Sequence, residues 1–122
     1  MAMTTLPCLD GFAIQFPDRI YRYNDSGTLC FYEQDANGNA VGDGTPVTAQ
    51  DIADANSAWA YKLLREERDA KLYDCDWWGV SDRTMTTEET NYRQALRDVP
   101  ETQTPEINDG FQLTNITWPA KP

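Results

Sequence analysis

The sequence predicts an α+β fold, and three observations carry that prediction. Phe12 to Val47 reads as short aromatic and β-branched runs separated by Gly, Asn and Asp, the grammar of a small antiparallel meander. Ala49 to Asp74 then contains neither Pro nor Gly, enough for roughly 39 Å of unbroken helix. A second helix start at Thr86 and a stop signal at Pro100 complete a helical section that follows the strand section. The expected organisation is a β-rich region over 1–47 and a helical-hairpin domain with an extended C-terminal arm over 48–122.

Within the first region, "FAIQF" (Phe12–Phe16) reads as an apolar strand stopped by Pro17. "RIYRYN" and "TLCFYEQ" follow as strands, with "DSG" as the turn between them. "DANGNAVGDGTP" supplies Asn-Gly and Gly-Asp-Gly turn chemistry. These assignments place the meander at about residues 12–47.

Thr48 is an N-cap candidate followed by an acidic first turn, which suits the orphan N–H groups and the helix dipole. Along the long helix, Ile52, Trp59, Leu63 and Ala70 fall near one face, with Ala55 and Ala60 beside them. Glu67 precedes Lys71 by four, the favoured ion-pair orientation. The helix is expected to end near Asp74, before "CDWWGVSDRTM". Thr86 with Glu89 then forms a capping box. Tyr92, Leu96 and Val99 at i, i+4 and i+7 mark the packing side of the next helix, closed by Pro100. The two helices form an antiparallel αα-hairpin with an aromatic loop. "ETQTPEINDG" reads as extended and polar, and "FQLTNITW" as one possible last strand.

Composition narrows the function. Twenty acidic against ten basic residues give a net charge of −10. Phosphate binding draws its affinity from clustered Lys and Arg, so this balance disfavours nucleic acid and anionic membrane surfaces. No apolar run approaches the ~20 residues of a membrane span. "MAMTTLPCLDG" lacks the basic and apolar segments of a signal peptide, which points to a cytoplasmic protein. Cys8, Cys30 and Cys75 are widely spaced and odd in number, so free, partly buried thiols are expected, not a disulfide or zinc framework.

Catalysis finds little support. The chain has no histidine, the commonest general base and metal ligand, and no nucleotide or nucleophile-elbow motif. Asp74 with Asp76 flanks a helix end. Glu88 with Glu89 sits in a first helical turn, where capping explains it. Asp35, Asn37, Asn39 and Asp43 resemble the start of a calcium loop, but Ala40 and Pro46 occupy the positions needing Gly and a bidentate Glu. A hairpin tip accounts for those oxygens. No catalytic residue, cofactor or metal is expected.

The arginines and tryptophans suggest binding instead. Arg93 and Arg97 lie four apart and share a helix face. One reading has Arg97 clamp the aromatic loop through a carboxylate while Arg93 is solvated; the other has an arginine meet a partner's carboxylate. Trp77 and Trp78 are adjacent, so one packs inward and the other faces out. Trp118 precedes Pro119 in a segment suited to extended docking. Trp78 with Trp118, supported by Arg93, is the favoured interface, within a partner-binding set of Trp77, Trp78, Arg93, Arg97, Trp118 and Pro119.

"RDAKLYDCDWWGVSDRTMTTEETNYRQALRDVP" followed by "ITWPAKP" resembles the phage tail assembly chaperone family. The matching positions are Arg68, Asp69, Leu72, Asp76, Trp77, Tyr92, Arg93, Leu96, Arg97, Asp98, Pro100, Trp118, Pro119 and Pro122, over residues 65–122. Trp78-Gly79 and Glu89 depart from the usual pattern, and the linker lacks a Phe-Pro. The resemblance implies a non-enzymatic factor that binds a phage tail or tail-fibre structural protein in the host bacterial cytoplasm. The alternative is a permanent virion component such as a fibre, baseplate or tail adaptor. A thin core with extended ends also favours self-association or a place in a larger assembly.

Overall fold

A computed structural model describes residues 3–122. Its order is helix α1 (Leu9–Gln15), strands β1 (Ile20–Tyr23), β2 (Leu29–Gln34) and β3 (Ala40–Pro46), and the long helix α2 (Ala49–Asp74). A 3-10 turn (Asp76–Gly79), helix α3 (Thr87–Thr102) and two-residue strands β4 (Glu106–Ile107) and β5 (Leu113–Thr114) complete it. The fold class is α+β, as the sequence predicts.

The expected first strand is a helix instead. In a strand, Phe12, Ile14 and Phe16 would share one face. In α1 and its C-cap, Phe12 and Phe16 stand one turn apart, 5.5 Å between ring centroids, and both lie against Phe31. Ile14 is left 43% exposed. Gly11 explains the choice: a Cβ there would sit 2.0 Å from the Ala55 carbonyl oxygen, so only glycine lets α1 lie this close to α2. A five-residue apolar run carries no periodicity that could reveal this.

The meander therefore starts at Ile20. β2 is central, antiparallel to β1 and β3. Asn24 Oδ1 accepts from the Ser26 and Thr28 N–H groups, and Asp35 Oδ1 accepts from those of Asn37 and Asn39. Side chains thus close both hairpins. The β2–β3 register shifts between Phe31 and Glu33. Gly44, at φ +80, sits opposite this shift, where a Cβ would meet the Tyr32 ring at 2.8 Å. Leu29 and Phe31 pack with Phe12 and Ala55, with Ile52 alongside.

Thr48 and Asp51 form a full capping box at the start of α2. The buried line along α2 is Ala55, Asn56, Ala60 and Leu64. Ile52, Trp59 and Leu63 flank it half-buried, and Ala70 is exposed, so the expected stripe is displaced toward small residues. Ala55 and Ala60 admit close neighbours. Asn56 is fully buried: its Oδ1 accepts the Cys8 N–H at 3.1 Å, and its Nδ2 donates to the Thr4 and Leu6 carbonyls. This side chain stitches the N-terminal segment onto α2. Alongside, the Thr4 N–H donates to the Ile107 carbonyl, and Cys8, Ala60 and Ile107 form a second core cluster.

The hairpin of α2 and α3 is antiparallel: Arg93 reaches the Leu72 carbonyl and Arg68 the Arg97 carbonyl. Thr86 and Glu89 form the expected capping box, and Tyr92, Leu96 and Val99 are buried. The helix continues two residues past Pro100 instead of stopping there. Proline removes one donor near the end, while the Thr102 hydroxyl and Gln103 N–H serve the Asp98 and Val99 carbonyls. "ETQTPEINDG" accordingly begins helical and then contributes β4. Of "FQLTNITW" only Leu113–Thr114 pairs, because Asn115 turns the chain away at φ 65. Lys71 lies over the Trp118 ring, where the sequence suggested a pair with Glu67. Among the described residues no helix is long and apolar enough to cross a membrane.

Candidate partner-binding face

Asp76–Gly79 winds into a 3-10 turn after α2 ends at Asp74, and the carbonyl of the cap residue Cys75 accepts the Trp78 N–H at 3.1 Å. The tight turn parts the two tryptophans. Trp78 is 4% exposed and packs with Cys75, Tyr92 and Leu96, its ring 5.9 Å from that of Tyr92. Trp77 is 58% exposed and meets the Trp78 ring edge-on. The expectation of a surface Trp78 is therefore corrected: its indole completes the core, and Trp77 is the outward tryptophan.

Two arginines fix the turn. Arg93 Nη1 donates to the Leu72 carbonyl and to Cys75 Sγ, both at 3.0 Å, and Nη2 donates to Asp76 Oδ1 at 2.8 Å. Burial opposes the Arg93 charge, but Asp76 and Cys75 outweigh it and hold the guanidinium above its ordinary pKa. The clamp is thus Arg93, the reverse of the reading that gave this role to Arg97. Position decides it: Arg93 stands opposite the end of α2, whereas Arg97 lies a turn further along, is exposed, and among the described residues its side chain hydrogen-bonds only to Gln94 Oε1, at 3.4 Å.

Arg83 is the second fixing residue. It donates to the Trp78 carbonyl at 3.0 Å and to Glu89 Oε2 at 2.6 Å, and its guanidinium lies 4.9 Å from the Trp77 ring centre. Sequence reasoning passed over Arg83, although a signal existed. A capping-box glutamate uses one oxygen on the N-cap N–H, here Oε1 on Thr86, leaving the other for a nearby cation. The Arg83 hydrogen bond, followed by that from Thr86, holds the Glu89 carboxyl below the ordinary carboxylate range.

Trp118 is half-buried against the cluster of Cys75, Trp78, Tyr92 and Leu96, on which Leu72 and Met85 also pack. Lys71 stands 5.1 Å over its ring, and Lys121 stands 5.7 Å over that of Trp78. Pro119 is half-buried next to it. The arm thus folds back onto the hairpin, near the turn that displays Trp77.

The other candidate groups are engaged elsewhere. Asp76 is paired with Arg93 and Glu89 with Arg83, while Asp74 and Glu88 are exposed. A surface hollow of about 390 Å³ between α1 and α2, lined by Ile14, Gln15, Asp54, Tyr61 and Arg65, contains none of these acids. Asp35 spends its carboxylate on its own turn, and the N–H groups of Asn39 and Asn37 lower its pKa. Cys8, Cys30 and Cys75 are buried free thiols, and burial pushes the Cys8 thiol up.

A family model described as phage tail assembly chaperone protein matches residues 61–122. That match takes in the second half of α2, the aromatic turn, α3, the β4–β5 pair and the arm. No curated protein and no solved structure matches the chain. The matched segment is just over half of the chain and holds the arginine clamp, the displayed tryptophan and the folded-back arm; the chain belongs to the phage tail assembly chaperone family.

Proposed function

We propose that the chain is a non-enzymatic assembly factor that binds a structural protein of the phage tail or tail fibre in the bacterial cytoplasm. The observation that carries this reading is Trp77: a 58% exposed indole on a turn held from two sides by Arg83 and Arg93. An exposed tryptophan normally marks a contact, and a fixed one loses little entropy on binding. Arg97 extends the face with an exposed guanidinium, and Trp118 with Pro119 seats the arm beside it. Trp78 and Arg93 serve it from beneath, as the packing and the clamp. Physically, such a face would cover apolar surface or an unpaired strand edge of the tail component until that component assembles.

Association with the tail component or with a second copy would also add to a modest core. Mass spectrometry of purified particles tests the role. An assembly factor is absent from them or far below stoichiometric amounts. Stoichiometric copies would contradict it and make the chain a permanent tail component.

A further inference from the structure

The arm from Asn115 to Pro122 is seated by side chains. Among the described residues, no backbone-to-backbone hydrogen bond ties 115–122 to the body. The Gln103 amide takes that place. Its Nε2 donates to the Thr117 carbonyl at 2.6 Å, and its Oε1 accepts the Thr117 N–H at 2.7 Å. This pairing engages main chain, so any extended segment can satisfy it. One residue on, the Trp118 indole packs against the buried cluster of Cys75, Trp78, Tyr92 and Leu96, with Lys71 above its ring. A backbone-reading amide, an apolar seat and a cation make up a peptide groove, and its occupant is the chain's own arm.

We infer that this groove docks an extended segment of the tail partner, carrying an aromatic residue followed by proline, and that the arm is its internal stand-in. The arm itself shows the chemistry that fits. An indole fills the seat, and Pro119 holds the backbone extended next to it. Lys71 pairs with the ring and with no carboxylate in the described residues, so an acidic neighbour in the incoming segment gains a charge partner. Departure of the arm breaks no strand, which makes it a local opening. The inference rests on the tail-binding role and adds its mode: the partner enters by displacing the arm.

The test uses the full chain and a labelled peptide, NITWPAKP, copied from Asn115–Pro122. The wild-type chain binds it weakly, because the tethered arm competes at high effective concentration. Trp118→Ala frees the groove and binds the peptide at least ten-fold more tightly. A folded Trp118→Ala chain with no gain overturns the inference. Should that variant fail to fold, hydrogen exchange on the wild type decides. The Thr117 N–H exchanges at least a hundred-fold faster than that of Leu96, and equal rates would mean an arm that opens only with the whole fold. A dimer that is lost with Trp118→Ala would give the groove to a second copy and also overturn it. No tail protein enters these measurements, so they succeed or fail independently of the tail-binding role.

Discussion

Arg93 illustrates how one side chain decides what a neighbouring pair can do. It satisfies the Leu72 carbonyl, the Cys75 sulfur and the Asp76 carboxylate together, which fixes the turn that sends Trp78 inward and Trp77 outward. Arg93→Ala is expected to destabilise the chain by about 1–3 kcal/mol, read by urea denaturation, since a carbonyl and a carboxylate lose their donor. Arg93→Lys should not rescue it, because one ammonium cannot span the same fork. Glu89 adds a pH dependence. Its folded carboxyl sits below the ordinary range, so its stabilisation is full above that range and fades as pH falls through the lowered value. Glu89→Gln should therefore flatten the acid limb of a stability–pH curve, and an unchanged limb would remove the Arg83–Glu89 pair from the account. At this scale the sequence was partly legible. Adjacent tryptophans must diverge, but which one turns inward depends on a 3-10 turn and on Arg83, whose partner is six residues away.

Elements were legible where their signals are local. The Thr48 N-cap, the Thr86–Glu89 capping box and the end of α2 at Asp74 follow from side chains within a few residues of the helix ends. What was not legible was set by contacts distant in sequence. "FAIQF" is helical because Gly11 meets Ala55 and the Phe12 and Phe16 rings meet Phe31. α2 buries Asn56 because three backbone groups of the N-terminal segment need its amide. Two substitutions follow. Gly11→Ala forces α1 off α2 and should cost about 1–3 kcal/mol, with a lowered melting temperature. Asn56→Leu, close in volume, leaves the Cys8 N–H and the Thr4 and Leu6 carbonyls without partners and should cost at least about 2 kcal/mol. A neutral result at either position would mean that α1 and the segment before it dock less closely than described.

For the whole molecule, the core clusters join distant parts of the chain. Phe12, Leu29 and Phe31 share one cluster with Ala55, and Cys8 shares another with Ala60 and Ile107. We expect a single thermal transition, with tryptophan fluorescence and far-ultraviolet dichroism melting together; separate transitions would indicate that 1–47 and 48–122 unfold independently. The family-matched half carries the proposed binding face, while the N-terminal half packs on α2 at its other end. The central claim is that this face, led by Trp77, binds a tail component during assembly. It is tested most directly by deleting the gene from the encoding phage and complementing with wild type or Trp77→Ala, then counting tailed particles by electron microscopy. Trp77 makes few supporting contacts, so the variant should fold and accumulate with a stability change below about 1 kcal/mol. The account predicts that wild type restores tailed particles and that Trp77→Ala lowers their number at least ten-fold; normal tails with the folded variant, or without the gene, would contradict it.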